Sequence, residues 1–145
     1  MTISVWLRRV DVGPLTMMRR SQSAETAGTF ILRIDRFNRL SFSAEKESLY
    51  TTALNDLPEN DWTYFAVTFD KGHVVLYVNG EARVSKDLEL SEISAAPLNG
   101  SLSFGLNAPV GTLADDLGIF EKALSPEQIE KIYQSGLERF VGQAR

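Results

Sequence analysis

Two alternating apolar runs, each followed by a tight turn, constrain the fold of this chain more than any other feature. Apolar side chains alternate with others from Phe65 to Phe69, the period of two that a strand requires. A second run follows at residues 74–78. Asn79-Gly80 comes directly after it and favours a type I′ hairpin turn, because both central positions of that turn need positive φ. Residues 62–87 therefore predict three consecutive antiparallel strands.

Further short apolar runs, separated by turn residues, lie on both sides of this meander. They predict about nine to ten strands. The runs lie at residues 2–9, 15–18, 30–35, 39–44, 49–54, 62–70, 73–78, 81–87, 101–106 and 113–120. Many short strands with regular turns are typical of an all-β sandwich or jelly roll. The length of 145 residues, without an internal repeat or a linker, indicates a single domain.

One helix is predicted near the C-terminal end, over residues 125–137. Ser125 can cap it, Pro126 occupies the first helical position, and Gln128 completes a capping box. Gly136 is expected to end the helix. An apolar stripe along one side predicts that the helix covers a sheet edge as a structural plug.

The composition excludes several classes of protein. The chain is 43% hydrophobic and 23% charged, with no apolar run of the roughly 18–20 residues that a membrane span needs. It has no cysteine, which excludes disulfides, thiolate catalysis and cysteine-ligated metals. The N-terminal residues lack a basic region followed by an apolar core, so no signal peptide is expected in this chain.

The net charge of −4 conceals a basic N-terminal part. Residues 1–40 hold seven arginines and three acidic residues, whereas the remainder is strongly acidic. The overall acidity argues against a dedicated nucleic-acid binder. The basic part could meet an anionic partner. A solvated edge strand is the alternative, because charges discourage association between sheet edges.

The central stretch resembles a signature of laminin G-like domains, which are concanavalin A-like lectin/glucanase domains. That signature, Trp-x-x-Phe-Ala-Val-Thr-Phe-Asp followed by Leu-Tyr-Val-Asn-Gly, begins here at Trp62. The opening residues 2–7, the closing stretch 111–120 and residues 123–129 are similar to family segments in the same order. The resemblance implies one domain over residues 1–145, an antiparallel concanavalin A-like jelly roll with one short C-terminal helix.

Domains of this family normally have one or two strands before the segment that residues 2–7 resemble. The chain begins almost on that segment, so we expect a fragment or module of a larger protein that lacks its first strand. Ile3, Val5 and Leu7 would then lie on an open N-terminal edge. Such an edge invites pairing with a neighbouring segment or with a second copy of the chain.

Asp87, Glu89 and Glu92 form the strongest candidate for a catalytic set. Retaining glucanases of this fold use Glu-x-Asp-x-x-Glu on one strand, which places the nucleophile and the acid about 5 Å apart. The spacing matches here, but the first position is aspartate, the middle one is glutamate, and no aromatic residue flanks the segment. We prefer an acidic surface connector and predict that the chain is not an enzyme.

Asp115 and Asp116 are candidate calcium ligands, with Asn107 or Asp70 as further oxygen donors. Adjacent residues of a strand point to opposite faces, so the pair could share one ion only across a bulge. We prefer an interpretation in which one aspartate accepts backbone hydrogen bonds and the other is solvated. His73 is the single histidine, which excludes a typical zinc site, and it is expected to be an exposed turn residue.

The aromatic residues include possible stacking platforms for sugars. Tyr64 and Tyr77 could line a concave face, but residues of this kind more often pack between layers. Trp62 matches a core position of the family. The sequence thus singles out no ligand-binding residue.

The resemblance implies a non-catalytic, lectin-like recognition or adhesion module for carbohydrate or protein ligands. It also implies an extracellular or cell-surface location within a larger protein, without a nucleic-acid partner or membrane insertion. No cofactor is expected apart from the candidate calcium. The alternative is an assembly subunit that forms homo-oligomers through the open edge. A glycoside hydrolase ranks third.

Overall fold

The computed structural model describes residues 1–10, 13–21, 29–44, 47–89, 101–106 and 108–140. Ten strands and one helix follow one another along these residues. They are β1 (Thr2–Arg8), β2 (Leu15–Ser21), β3 (Phe30–Ile34), β4 (Leu40–Ala44), β5 (Glu47–Tyr50), β6 (Trp62–Asp70), β7 (His73–Val78), β8 (Glu81–Asp87), β9 (Ser101–Leu106), β10 (Leu113–Phe120) and α1 (Pro126–Phe140).

The strands form two antiparallel five-stranded sheets. The first sheet has the order β10-β1-β6-β7-β8, and the second has the order β5-β4-β3-β2-β9. Strand β5 contacts β8 and strand β4 contacts β7, so the sheets stack face to face as a sandwich. The predicted all-β jelly roll with one C-terminal helix is confirmed.

The predicted meander forms β6, β7 and β8, and its turns have the expected chemistry. Asn79 and Gly80 have φ of 51° and 79°, so the predicted positive φ at both central positions is confirmed. The side chain of Asn79 also accepts a hydrogen bond from the backbone N–H of Tyr64 at 2.9 Å. Lys71 and Gly72 likewise have positive φ in the turn between β6 and β7.

The main core lies between the two sheets. Apolar side chains at alternate positions of each strand are buried there, among them Val5, Phe42 and Phe65. A bulge in β2 interrupts this alternation, so that Met17 and Met18 are both buried. The side chains between these inward positions point to the outer faces of the two sheets.

Strand β1 is not an open edge. It pairs with β6 on one side and with β10 on the other, and Ile3 lies between Val67 and Ile119. The prediction of an open N-terminal edge is therefore wrong, because the closing strand, remote in sequence, occupies the position beside β1. Among the described strands, the edges are β8 and β10 in the first sheet and β5 and β9 in the second.

Two strands differ in extent from their predictions. Strand β2 continues to Ser21, beyond the predicted end at Met18, because both β3 and β9 pair with it. Strand β5 ends at Tyr50, and the backbone N–H of Leu54 instead donates a hydrogen bond to the carbonyl of Asn38. In both cases backbone hydrogen bonds with residues distant in sequence decided the boundary.

Helix α1 begins with the predicted capping box. The backbone N–H of Gln128 donates to the Ser125 hydroxyl at 3.2 Å, and the backbone N–H of Ser125 donates to the Gln128 side chain at 2.9 Å. The helix continues to Phe140, so the predicted end near Gly136 is wrong. Gly136 lies inside the helix against Trp6, where a Cβ would come 2.6 Å from the indole ring.

The helix lies on the outer face of the first sheet and not over an edge, which corrects the predicted plug. Its apolar side forms a second core cluster with that face. The buried members of the cluster are Trp6, Tyr64, Ala66, Tyr77, Ile129 and Phe140. The rings of Trp6 and Phe140 stack with centroids 4.6 Å apart. No helix in the described part of the chain has the length and apolar character needed to cross a membrane.

Candidate ligand-binding face

The two outer faces of the sandwich differ in what covers them. Helix α1 buries the aromatic side chains of the first sheet, and Trp6, Tyr64 and Tyr77 are at most 2% exposed. The preferred interpretation of Tyr64 and Tyr77 as packing residues is confirmed. Among the described elements, none lies over the outer face of the second sheet. Among the described residues, that face is the sheet surface that no helix covers.

The register of the second sheet places outward side chains in two rows across the strands. The first row runs Thr16, Arg33, Ser41, Tyr50 from β2 to β5. The second row runs Ser103, Arg19, Ile31, Ser43, Ser48 from β9 to β5. We call these two rows the arginine–hydroxyl face. It presents hydrogen-bond donors and acceptors, and neither row contains a carboxylate.

A cleft of about 560 Å³ adjoins this face at the start of β2 and the end of β3. Its lining includes Thr16, Arg33, Asp35, Arg36, Phe37 and Arg39. These residues come from the first row of the face and from the turn between β3 and β4. The cleft therefore combines side chains from a rigid sheet with side chains from a tight turn.

Asp35 holds the turn between β3 and β4. One carboxylate oxygen accepts hydrogen bonds from the backbone N–H groups of Phe37 and Arg39, at 2.9 and 3.1 Å. The other accepts from the Arg39 guanidinium at 2.8 and 2.9 Å. Burial alone would raise the pKa of Asp35, but these hydrogen bonds and the Arg39 charge hold the pKa below its ordinary value. The Asp35 carboxylate is thus committed to the turn.

Aromatic rings stand beside the arginines of the cleft. The Arg39 guanidinium lies 3.9 Å from the Tyr50 ring centroid and 5.0 Å from that of Phe37. The Arg36 guanidinium lies 4.8 Å from the Phe37 centroid. Phe37 is 56% exposed and Tyr50 is 51% exposed. Exposed rings next to fixed polar groups provide both apolar contact and orientation for a ligand.

The other side of the turn is anchored to the first sheet. The Arg9 guanidinium donates to the Asn38 side chain at 3.0 Å, and burial lowers the pKa of Arg9. Asn38 itself has φ of 57°, within the turn that Asp35 closes. A smaller cavity of about 130 Å³ is lined by Arg9, Asn38 and residues of the segment that follows β5. Arg9 therefore contributes to positioning the turn and not to the larger cleft.

The described members of the predicted carboxylate set lie at the end of an edge strand: Asp87 ends β8, and Glu89 follows it. The side chain of Asp87 contacts that of His73 at 2.7 Å, and His73 is exposed at the start of β7, as predicted. The backbone N–H of Glu89 donates to the Glu47 carboxylate. Glu92 lies outside the described residues. The described contacts are those of a sheet edge and a connector, and they bring no pair of carboxylates together in a groove.

Asp115 and Asp116 both accept hydrogen bonds from Arg139 on α1, at 3.2 and 2.7 Å. Pairing with β1 is irregular at this point, and Asp116 has φ of 51°. The bulge lets adjacent aspartates reach one guanidinium, which a regular strand would prevent. The aspartate that our preferred interpretation leaves to solvent therefore has the Arg139 guanidinium as a hydrogen-bond partner.

The calcium prediction concerns the same two aspartates. Asp70 ends β6, at the opposite end of the first sheet from Asp115, and Asn107 lies outside the described residues. Over the described ranges, no group of three or more acidic or histidine side chains is placed to hold a metal ion. Calcium binding stays a prediction.

Sequence reasoning missed the residues of the arginine–hydroxyl face and the cleft. One available signal is the excess of arginine in residues 1–40, which is compatible both with an anionic partner and with a solvated edge strand. Phe37 in a turn was a second signal, because a large apolar residue at a hairpin tip has little to pack against. Neither signal indicates by itself that Arg33, Phe37 and Tyr50 lie together.

Comparison with known proteins adds to this geometry. A family model described as the concanavalin A-like lectin/glucanases superfamily matches residues 1–130. No curated protein sequence matches the chain. Among solved structures, the botulinum neurotoxin serotype D binding domain is similar with a TM-score of 0.72 and 22% identity, over 95% of this chain and 37% of that one.

Two further structures are similar at the same level. The binding domain of botulinum neurotoxin DC, solved with rat synaptotagmin II, has a TM-score of 0.68 and 20% identity, over 92% of this chain and 35% of that one. A third structure is described by the dependence of botulinum neurotoxin type C cell entry on interaction with two ganglioside molecules. It has a TM-score of 0.69 and 22% identity, over 92% of this chain and 35% of that one.

The chain spans little more than a third of the length of these structures. At such low identity, the structural similarity shows a shared fold. The family model covers most of the chain and agrees with the sandwich described above. This chain belongs to the concanavalin A-like lectin/glucanases superfamily.

Proposed function

We propose that this chain is a non-catalytic recognition module that binds carbohydrate on the arginine–hydroxyl face. The observation that carries the proposal is the contrast between the two outer faces. Helix α1 buries the rings of the first sheet, whereas the second sheet exposes Tyr50, and Phe37 beside it, next to arginine and hydroxyl groups. Apolar surface with a few fixed polar groups is the usual character of a site for a small ligand.

The comparisons support a binding role in general terms. Two of the similar structures are binding domains, one of them solved in complex with rat synaptotagmin II, and the type C structure is described by an interaction with two ganglioside molecules. A location outside the cell or at its surface, within a larger protein, follows from the same comparison as part of this proposal. A fold hosts many functions, so the face of this chain and not its fold class must carry the argument.

A non-catalytic role also agrees with the described carboxylates. Asp87 contacts His73, Asp35 is held by Arg39, and Asp115 is held by Arg139. Glycoside hydrolysis needs two carboxyl groups on either side of one bond. These three carboxylates instead have structural partners at separate places. We expect binding without turnover.

The test is a glycan array with the wild-type chain, Tyr50→Ala and the control Phe120→Ala. Phe120 is an exposed aromatic residue on β10, in the other sheet. We expect reproducible binding by the wild type, about a tenfold or greater loss for Tyr50→Ala because of lost ring contact, and little change for Phe120→Ala. Glycans recovered after binding should be intact.

Three results would contradict the proposal. A blank array would remove carbohydrate as the ligand and would favour a protein ligand. Equal losses for Tyr50→Ala and Phe120→Ala would show that the face is not the site. Shortened glycans after incubation would show that the chain is an enzyme.

A further inference from the structure

We infer that the cleft beside the β3–β4 turn binds the anionic group of an acidic glycan, a carboxylate or sulfate carried on a sugar, through Arg33 and Arg36. The inference rests on the proposed function, since it names the ligand class for the same face. It goes further by assigning the recognition of charge to two arginines.

The charges of the cleft do not cancel. Three arginines and one carboxylate line it. The carboxylate, Asp35, uses both oxygens to hold the turn and forms its ion pair with Arg39. Arg33 and Arg36 are exposed, and no carboxylate of the described residues contacts either of them. Two positive charges at the mouth of the cleft are therefore available to an anion.

The surroundings of Arg33 suit an oxyanion attached to a sugar. Thr16 and Ser41 flank Arg33 on the neighbouring strands; Ser41 is buried, whereas Thr16 is half-buried and its hydroxyl group can bond to a sugar. A guanidinium offers parallel N–H groups whose spacing matches the two oxygens of a carboxylate or sulfate. The Tyr50 ring lies farther along the same row and can contact the apolar side of a sugar ring.

Arg39 has a different role from the other two arginines. Its guanidinium is bonded to Asp35 and lies near the rings of Tyr50 and Phe37. It is a positioning residue that fixes the turn and the aromatic rings. A substitution of Arg39 would disturb the turn and would not report on anion binding alone.

The local charge is opposite in sign to the charge of the whole chain. The chain carries a net charge of −4, so long-range attraction does not favour polyanions in general. An anion is favoured at this cleft because Arg33 and Arg36 contact no carboxylate in the part of the chain that the structure describes. This argues for a discrete acidic group on a glycan and against a nucleic acid, whose binding depends on an extended basic surface.

The experiment compares the affinities of three oligosaccharides that share one core: a neutral form, a form with a sialic acid carboxylate and a form with a sulfate. The proteins are the wild type, the double variant Arg33→Gln/Arg36→Gln and the charge-matched control Lys86→Gln/Lys131→Gln. Lys86 on β8 and Lys131 on α1 are exposed and belong to the other side of the sandwich. The two acidic arms show which anion the cleft prefers.

We expect the wild type to bind at least one acidic form more tightly than the neutral form. The double arginine variant should lose about tenfold or more of that affinity and keep its affinity for the neutral form. The lysine control should behave like the wild type. Raising the salt concentration should reduce the preference for the acidic form in the wild type.

Several results would overturn the inference. Equal affinity of the wild type for acidic and neutral forms, or an arginine variant that keeps the acidic preference, would overturn it while leaving the proposed function intact. Single-stranded DNA bound as tightly as the acidic glycan would also overturn it. No binding to any form would refute the inference together with the proposed function. If the double variant does not fold, as judged by circular dichroism, Arg36→Gln in the exposed turn is measured alone against the same criteria.

Discussion

Replacing Gly136 by alanine distinguishes two effects on stability that have opposite signs, the helix propensity of α1 and its packing on the sheet. In an exposed helix, this change should stabilise by about 1 kcal/mol, because alanine is the better helix former. In this chain a Cβ at position 136 would lie 2.6 Å from Cζ2 of Trp6 and 2.8 Å from two further ring atoms. Ordinary contacts between carbon atoms are about 3.5–4.0 Å.

The Trp6 ring has little room to move away. It is 1% exposed, and it stacks on Phe140 at 4.6 Å and on Tyr133 at 5.8 Å. Excess volume in a packed core costs about 1–3 kcal/mol. The gain in helix propensity of about 1 kcal/mol offsets part of this cost. We therefore expect Gly136→Ala to reduce the free energy of unfolding by about 1 kcal/mol.

Urea unfolding followed by circular dichroism measures this change. Ser135→Ala is the control, because Ser135 is the exposed neighbour in the same helix, and we expect its effect to stay within about 0.5 kcal/mol. In a Trp6→Phe background the smaller ring should reduce the cost of Gly136→Ala, which a double-mutant cycle would detect. A Gly136→Ala variant as stable as the wild type, or more stable, would refute the docking of α1 on Trp6.

Two other predictions follow from ion pairs. The folded state lowers the pKa of Asp35, so this group stabilises the fold above its unfolded pKa of about 3.9, and the contribution is lost as the pH falls through the folded pKa. The urea midpoint of Asp35→Asn should therefore be lower than that of the wild type at pH 7, and the difference should shrink as the pH falls. A difference in midpoint that stays constant with pH would contradict this. Asp115 and Asp116 already bind Arg139, so thermal midpoints in calcium and in EGTA should agree. A calcium-dependent rise that Asp115→Asn abolishes would establish a metal site.

The local parts of this fold could be predicted from short stretches of sequence. Alternation predicted the central strands, because burial on one side of a strand requires a period of two. The turn at Asn79-Gly80 and the capping box of Ser125 and Gln128 were also predictable, because each depends only on bonds and dihedral angles within a few residues. The family resemblance supplied the jelly-roll topology that these local signals support.

The candidate site was not predictable in this way. Arg33 and Tyr50 are 17 positions apart in the sequence, and they share a row only because β4 pairs with both β3 and β5 in one register. Gly136 was expected to end a helix, since sequence alone does not show the tryptophan against which the glycine packs. The partner of Asp115 and Asp116 was missed because Arg139 reaches them only when α1 is docked.

The sequence by itself thus determined which stretches form strands and the helix, the geometry of the Asn79-Gly80 turn and the excess of arginine in residues 1–40, but not every strand or helix end. The tertiary structure decided which sheet face α1 covers, which strand lies beside β1 and which arginines contact no carboxylate within the described ranges. The physical reason is that strand identity depends on nearby residues, whereas the choice of partners depends on packing the largest apolar surface of the whole chain. That choice covered one outer face with a helix, and no described element covers the arginine–hydroxyl face.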